Sequence, residues 1–172
     1  MKYLKLFEKF YSPPREVKDK LHLIIKNLTK KYKGGKEFFH ALDDSIKDIT
    51  NQDMILALLK GNSDEWIATS GAFGDIVYKM WEDGKFKCKG LVVFNGKMLT
   101  HKKGVNNWYP VDFDLSDKEF IYVDDSFFSG STYKKINGFL KENNSIIKEV
   151  SVIYDGSRMK TNIVKSFFRY YK

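Results

Sequence analysis

The feature that most limits the fold of this chain is the alternation, after about residue 62, of short apolar runs with helical patterns. Apolar runs of this length, bounded by polar and small residues, are typical of buried strands, and they lie at residues 66–69, 90–94, 120–123 and 149–154. A helical pattern capped by Asp75 follows the first run, and another follows the third at residues 132–142. Strands that alternate with helices favour right-handed crossovers and parallel pairing. We therefore predict an α/β fold with a parallel-sheet core over residues 62–172.

Residues 1–61 show a different pattern, in which apolar residues recur at helical spacing in three stretches. The first stretch ends before the pair Gly34-Gly35, the second near Ile49 and the third before Gly61. We therefore predict an N-terminal helical segment that precedes the α/β core.

Two further local signals concern the second half of the chain. Asn95-Gly96 after the second run is the strongest two-residue hairpin signal, so residues 97–100 are predicted to return antiparallel. Residues 101–118 have no periodicity and are predicted to be a polar loop. A basic tail follows the fourth run, and its aromatic residues are Phe167, Phe168, Tyr170 and Tyr171.

Composition excludes several classes of protein. A chain of 172 residues with one cysteine, Cys88, forms no internal disulfide, and its three histidines have no metal-ligand spacing. No apolar stretch approaches the ~20 residues of a membrane helix, and charge interrupts the apolar residues at the N-terminus, unlike a signal peptide. We therefore expect a cytoplasmic protein without structural zinc or a membrane span.

The net charge of +8 is unevenly distributed along the chain. It amounts to +5 in residues 1–60, −3 in residues 61–132 and +6 in residues 133–172. A lysine-rich solvated surface explains such ends. Attraction to a phosphate-bearing partner, either a small molecule or a nucleic acid, is the alternative.

The candidate site lies where predicted strands end, because open parallel sheets bind ligands at the carboxyl ends of their strands. One such loop is 70–74, and the other is 124–132. In the second loop, Asp124 and Asp125 are followed by Ser129-Gly130-Ser131-Thr132, which opens a helix. Small residues at a helix N-terminus favour phosphate, and carboxylates accept hydrogen bonds from sugar hydroxyls or act through a divalent cation. A ribose 5-phosphate carries both kinds of group.

Residues 120–132 resemble the 13-residue PRPP-binding motif of the type I phosphoribosyltransferases. Four apolar residues, an acidic pair, a short spacer and a Ser-Gly-Ser-Thr sequence follow one another as in that motif. The order of the other elements is similar over residues 64–157, and the N-terminal helices correspond to the variable hood of the family. The resemblance implies a glycosyltransferase that binds PRPP with Mg²⁺ and transfers its phosphoribosyl group to a base, releasing pyrophosphate. A homodimer is also suggested.

The resemblance implies roles for individual residues. Asp124 and Asp125 would bind the ribose hydroxyls, with any contact to Mg²⁺ through water. The 5-phosphate would lie against Ser129 to Thr132, and pyrophosphate against the main-chain amides around Ser70 to Ala72. A mobile loop over residues 101–114 would close over the ligand. The substrate-binding residues implied are Asp124, Asp125, Ser126, Ser129, Gly130, Ser131, Thr132, Ser70, Gly71 and Ala72, and the catalytic ones are His101, Lys102 and Lys103.

Two departures from the family pattern keep alternatives open. Residues 71–73 contain no Arg or Lys, and Phe128 stands where enzymes acting on 6-oxopurines carry an acid. Phe128 transfers no proton, which argues against a hypoxanthine or guanine enzyme. The alternatives are an enzyme for another base, a non-catalytic PRPP or nucleotide sensor acting through a protein or RNA partner, and a basic RNA-binding protein that uses the tail. A P-loop NTPase is excluded because the chain has no Gly-x-x-x-x-Gly-Lys-Ser/Thr.

Overall fold

A computed structural model describes residues 4–6, 15–157 and 162–170 of the chain. Its helices are α1 (Arg15–Lys31), α2 (Lys36–Ile49), α3 (Gln52–Lys60), α4 (Gly71–Glu82) and α5 (Ser131–Lys141). Its strands are β1 (Leu4–Leu6), β2 (Trp66–Ser70), β3 (Gly90–Phe94), β4 (Leu99–Lys103), β5 (Trp108–Pro110), β6 (Glu119–Phe127), β7 (Ile146–Asp155) and β8 (Val164–Tyr170). None of these helices is long and apolar enough to cross a bilayer.

The strands form one sheet in the order β1-β8-β7-β6-β2-β3-β4-β5. The five central strands, from β8 to β3, pair in parallel, whereas β1 at one edge and β4 and β5 at the other are antiparallel. The prediction of an α/β fold with a parallel-sheet core and N-terminal helices is therefore confirmed. The chain moves from β3 at one side to β6 beyond β2, so that β2 and β6 are neighbours at the centre of the sheet.

Both faces of the sheet are covered, which explains why the strands are apolar without alternation. Neighbouring residues on a strand point to opposite faces, and Ile67 and Ala68 of β2 accordingly belong to two different core clusters. The cluster that contains Ile67 also contains Leu21, Leu42 and Leu59 of α1, α2 and α3, together with residues of α4. The other cluster contains Ile136 and Leu140 of α5. The N-terminal helices thus pack directly on the sheet.

Local signals set the start of α3. Asn51 precedes the helix in an extended conformation, and its side-chain oxygen accepts a hydrogen bond from the amide of Met54 at 2.9 Å. Asparagine at this position satisfies one of the amides that have no partner within the helix. Helices α2 and α3 are therefore separated by a short capped break, and both contact β6.

The predicted hairpin after β3 is present, but its turn is longer than two residues. Leu99 pairs with Phe94, so the returning strand begins at Leu99 and not at residue 97. The side chain of Asn95 accepts hydrogen bonds from the amides of Lys97 and Met98 at 3.0 and 3.1 Å, and Gly96 has a φ of 96°. The side chain of Asn95 therefore organises a four-residue connection.

The prediction that residues 101–118 form a polar loop was wrong in part, because this segment contains the end of β4 and all of β5. The aromatic tail forms β8, which pairs with β7. Phe167 and Phe168 are buried in the core against the N-terminal helices. Their rings are therefore not accessible for stacking on a base or an RNA strand. The side chain of Tyr170, and Tyr171 as a whole, lie outside the described residues.

Candidate functional site

A cavity of about 560 Å³ lies at the carboxyl ends of β2 and β6. The predicted substrate-binding residues all line it, and they are Ser70, Gly71, Ala72, Asp124, Asp125, Ser126, Ser129, Gly130, Ser131 and Thr132. Strands β2 and β6 are parallel neighbours, so the segments that follow them meet at the same edge of the sheet. Residues more than fifty positions apart in the sequence therefore line the same cavity.

The first wall is the junction between β2 and α4. Strand β2 ends at Ser70 and α4 begins at Gly71, which has a φ of 57°. The predicted loop 70–74 is therefore wrong, and Asp75, predicted to cap the helix, lies within its second turn. Ser70 makes no capping hydrogen bond through its side chain. The first amides of α4 have no partner within the helix, and together with the helix dipole they favour an anion there.

The second wall is the junction between β6 and α5. Strand β6 runs to Phe127, past the acidic pair at which it was predicted to end. Pairing with β7 explains the extra length, since Asp124 pairs with Val152 and Phe127 with Asp155. Gly130 then precedes α5 in the left-handed conformation, with a φ of 69° and a ψ of 16°. This sharp turn leaves Ser131 and Thr132 in the first turn of a second helix that begins at the cavity.

The carboxylate of Asp124 is held by hydrogen bonds on both oxygens. Its Oδ1 accepts from the amide of Asp125 at 2.9 Å, and its Oδ2 accepts from the hydroxyl of Tyr122 and from Ser70 Oγ, the latter at 3.3 Å. The hydroxyls of Ser70 and Tyr122 are themselves 3.1 Å apart. These three side chains join the end of β2 to the end of β6 beneath the cavity.

Burial raises the pKa of Asp124 to about 8, with a further contribution from the negative charge of Asp125. The hydrogen bond from Tyr122 opposes this rise. Asp124 is therefore easier to protonate than a solvent-exposed aspartate.

Asp125 is linked to a different part of the chain. Ser126 Oγ lies 2.7 Å from Oδ1 of Asp43 and 3.1 Å from Oδ1 of Asp125. One hydroxyl proton serves both acceptors, so Ser126 donates to one of them at a time. The other oxygen of Asp43 pairs with Lys47 Nζ at 2.7 Å. Helix α2 is thereby connected to the acidic end of β6.

Sequence analysis missed the contribution of α2 and α3 to the cavity. Asp43, Lys47, Thr50 and Ile55 line it beside the predicted residues. The one signal in the sequence is the spacing of Asp43 and Lys47, which predicts an ion pair on any exposed helix and points to no site. Hydrogen bonding to Asp43 raises the pKa of Lys47, so its amine is charged.

Phe128 forms an apolar part of the cavity wall. Its ring lies 5.9 Å from the ring of Phe39 on α2 and 5.8 Å from that of Tyr154 on β7. Gly156 leaves room for it, because a Cβ at that position would lie 2.4 Å from the Phe128 ring. Packing therefore holds Phe128 in place, and it brings no titratable group to the cavity.

The three predicted catalytic residues lie outside the cavity lining. His101, Lys102 and Lys103 are the last residues of β4, in an antiparallel ladder with β5, and not in an irregular loop. His101 Nε2 is 2.9 Å from Asp112 Oδ1, and Lys103 Nζ is 3.3 Å from Asp75 Oδ2. Lys103 Nζ also lies 5.3 Å from the centre of the Trp108 ring. These contacts hold both side chains along the edge of the sheet and against α4.

Comparisons with known proteins give matches among solved structures. No family model and no curated protein matches the sequence. An adenine phosphoribosyltransferase from Thermoanaerobacter pseudethanolicus is similar at 18% identity and a TM-score of 0.38, over 67% of this chain and 69% of that one. A purine phosphoribosyltransferase from Pyrococcus horikoshii is similar at 17% identity and a TM-score of 0.39, over 74% and 82%.

A third similar structure is adenine phosphoribosyl transferase from Trypanosoma brucei in complex with AMP, pyrophosphate and ribose-5-phosphate. It shares 12% identity with this chain, with a TM-score of 0.44, and the match covers 88% of this chain and 75% of that one.

Proposed function

We propose that this protein is a phosphoribosyltransferase that binds Mg-PRPP and transfers the 5-phosphoribosyl group to a nucleobase-like acceptor. One observation carries the proposal, namely that the N-termini of α4 and α5 and the acidic pair on β6 all line a single cavity. Two anion-binding helix ends on either side of hydroxyl-binding carboxylates match a ligand with a phosphate, a diol and a diphosphate in that order.

The ligand has one orientation that uses every group. The 5-phosphate lies at α5, where Ser129, Ser131 and Thr132 add hydroxyl donors to the backbone amides. The ribose hydroxyls lie at Asp124 and Asp125, and the diphosphate lies at the N-terminus of α4. The end with three hydroxyls is thereby matched to the compact monophosphate. The α4 end, where the hydroxyl of Ser70 already bonds to Tyr122 and Asp124, is matched to the group that carries its own cation.

The donor set fits magnesium brought in by PRPP. In the described part of the chain, no group of three His, Cys, Asp or Glu residues is placed to hold a metal by itself. Mg²⁺ usually retains several waters and binds through one or two carboxylates together with substrate phosphates, and Asp124 and Asp125 are such a pair. When bound, the ion would supply positive charge to the departing pyrophosphate.

In the transfer step, a nitrogen of the acceptor forms a bond to C1 of the ribose as the bond from C1 to the diphosphate oxygen breaks. The electron pair of that bond leaves with pyrophosphate. Asp124 and Asp125 position the sugar while C1 carries positive charge. Phe128 transfers no proton, so the acceptor reacts either without losing one at this position or with loss of the proton to solvent.

Calorimetry with Mg-PRPP tests the binding site. We expect the wild-type protein to bind, and the double substitution Asp125→Asn with Ser129→Ala to abolish binding by removing one contact from each end of the phosphoribosyl group. The single substitution Thr29→Ala on the exposed face of α1 serves as the control. An absence of binding by the wild type, or unchanged binding by the double variant, would contradict the proposal.

The hairpin of β4 and β5 takes part in the proposal as a closing element. We expect it to move over Mg-PRPP and bring Lys102 or Lys103 to the pyrophosphate. Limited proteolysis after these lysines then slows when Mg-PRPP is added. Unaffected cleavage at saturating ligand, or full turnover after both are replaced by alanine, would show that the hairpin has a structural role alone.

A second candidate function is a PRPP or nucleotide sensor without catalysis. It is favoured by His101 and Lys103, which pair with acidic and aromatic groups, and by the position of residues 101–103 outside the cavity lining. Release of pyrophosphate across a panel of bases supports the enzyme, and binding of Mg-PRPP without release supports the sensor. RNA binding predicts an affinity that falls steeply with salt, and a flat dependence excludes it.

A further inference from the structure

The cavity has an imbalance of charge for a site that binds a polyanion. Its described lining contains three carboxyl groups, on Asp43, Asp124 and Asp125. Lys47 is the one lysine, arginine or histidine among the described residues that line it. The backbone amides of each helix N-terminus together provide about half an elementary charge. A full positive charge in the cavity therefore has to come from Lys47 or arrive with the ligand.

The two ends of the cavity differ in the donors they offer. At α5 the side chains of Ser129, Ser131 and Thr132 supplement the amides, whereas residues 71–73 at α4 are Gly, Ala and Phe. The hydroxyl of Ser70, just before α4, bonds to Tyr122 and Asp124, so residues 71–73 offer an anion their backbone amides alone. A diphosphate carries more negative charge than a monophosphate, so the more highly charged group is assigned to the end with fewer hydrogen-bond donors.

Lys47 is connected through Asp43 to the residues of the site on β6. Its amine lies 2.7 Å from Asp43 Oδ2, and Oδ1 of Asp43 is 2.7 Å from Ser126 Oγ on β6. Ser126 also contacts Asp125. A chain of short contacts thus ties the lysine to the acidic end of β6.

The Lys47 side chain lines the cavity and is partly exposed. About 53% of the Lys47 side chain is exposed, compared with 24% of the Asp43 side chain. An ammonium group has three N–H donors, and the contact with Asp43 Oδ2 occupies one direction. The remaining directions are open to a ligand oxygen, and a charged donor to a phosphate oxygen forms one of the stronger hydrogen bonds in proteins.

We propose that Lys47 of α2 is the cationic contact for the diphosphate of PRPP. It replaces the positive charge that the segment 71–73 lacks, and it does so from an N-terminal helix that packs over the end of β6. This assignment rests on the proposed function for the identity of the ligand. What it adds is that Lys47 contacts the diphosphate and not the 5-phosphate.

Three ligands separate the two halves of the site: Mg-PRPP, pyrophosphate with Mg²⁺, and ribose 5-phosphate. We expect Lys47→Gln to weaken binding of Mg-PRPP and pyrophosphate by about tenfold or more. Its affinity for ribose 5-phosphate should change less than about twofold. Lys47→Arg retains the charge and should bind all three ligands nearly as the wild type does.

Lys36→Gln is the matched control, because it removes the same charge from an exposed position on the same helix. Lys47 is half exposed, so its variants are expected to fold, and far-ultraviolet circular dichroism checks this. Equal affinities for wild type and Lys47→Gln, or an equal loss for ribose 5-phosphate, would overturn the assignment and leave the proposed function standing. A second outcome is that the wild type binds pyrophosphate but not PRPP, and that Lys47→Gln weakens the binding of pyrophosphate. It would overturn the proposed function alone. Failure to bind either ligand would overturn both.

Discussion

The N-termini of α4 and α5 face the same cavity and differ in how they are built. At α5, a three-residue connection separates β6 from the helix, and Gly130 turns the chain in the left-handed conformation. At α4 there is no connection, because β2 ends at Ser70 and the helix begins at Gly71. The longer connection and the first turn of α5 bring Ser129, Ser131 and Thr132 to the cavity, whereas the direct junction brings Ser70 alone.

This difference determines where the chemistry of each end originates. The α5 end carries its own hydroxyl donors within the segment 129–132. The α4 end has backbone amides and the hydroxyl of Ser70, which bonds to Tyr122 and Asp124 of β6. Its cationic contact is proposed above to be Lys47, which comes from α2. A site of this kind has one locally encoded half and one half assembled from distant parts of the chain.

The largest expected effect concerns Asp124, which is bonded to the α4 end. Its pKa is raised from 3.8 to about 8 in the folded protein, so the folded state binds a proton that the unfolded state releases. Stability from this group is present below about pH 4 and is lost as pH rises to about 8, with a limiting slope of about 1.4 kcal/mol per pH unit. Asp124→Asn should remove that slope.

Urea unfolding at several pH values between 4 and 9 measures the pH dependence of the free energy of unfolding for wild type and for Asp124→Asn. Asp114→Asn is the control, because hydrogen bonds from Ser116 lower the pKa of that exposed carboxyl instead. Parallel stability curves for wild type and Asp124→Asn across this range would show that Asp124 is ionised throughout.

The second prediction concerns the hydroxyls of the α5 end. Removing two of them with Ser129→Ala and Thr132→Ala should lower the affinity for ribose 5-phosphate by about 10- to 100-fold, since hydrogen bonds to charged groups contribute about 1.5–3 kcal/mol each. Pyrophosphate should bind as before, because it is assigned to α4. Calorimetry with each ligand measures the contrast, and a similar loss for both would remove the distinction between the two ends.

The third prediction compares the glycines at the two ends. Gly130 has a φ of 69°, and a Cβ there would lie 3.0 Å from the ring of Phe127. Gly71 has a φ of 57° with nothing within 4 Å of a Cβ. Both alanine variants should lose about 1–2 kcal/mol through the left-handed backbone, and Gly130→Ala should lose more because of the Phe127 contact.

Chemical denaturation measures both losses. Gly138→Ala in the interior of α5 is the control, where a Cβ meets nothing within 4 Å, and it should stabilise the protein by about 0.5–1 kcal/mol. If Gly71→Ala were the more destabilised of the two variants, the Phe127 contact would not matter at the α5 end.

The smallest expected effect is that of Tyr122→Phe. Loss of a buried hydroxyl that bonds to Asp124 and Ser70 should reduce the free energy of unfolding by about 1 kcal/mol. It should also raise the pKa of Asp124 further, because the hydrogen bond from Tyr122 lowers it. Thermal unfolding and the pH dependence of stability measure the two effects, with the half-exposed Tyr109→Phe as control. An unchanged pH dependence would mean that Tyr122 does not act on Asp124.

The segment 120–132 could be predicted from the sequence because its signals are local. An apolar run, an acidic pair and small residues before a helical pattern specify strand, turn and helix within thirteen positions. Even there the end of β6 was misplaced, because its last residues are strand through pairing with β7. That pairing joins residues about thirty positions apart and leaves no periodic pattern in the sequence.

The segments 101–114 and 164–170 show why local patterns fail elsewhere. Strand β5 has three residues, and a register shift between Thr100 and Lys102 interrupts the β4 ladder, so neither alternation nor length reveals a strand. Strand β8 reads as a basic aromatic tail, but parallel pairing with β7 buries Phe167 and Phe168. Its neighbours on the sheet and the helices above it, rather than its own sequence, make it a strand.

The sequence by itself determined the α/β class, the three N-terminal helices and the residues that follow β2 and β6, because each depends on short-range hydrophobic periodicity and turn chemistry. The tertiary structure decided which distant groups join them. Ser126 meets Asp43 across 83 positions, and Ser70 meets Asp124 across 54. Such contacts depend on how α2 packs across the sheet and on β2 lying beside β6, and these arrangements result from burial of both faces of the sheet at once.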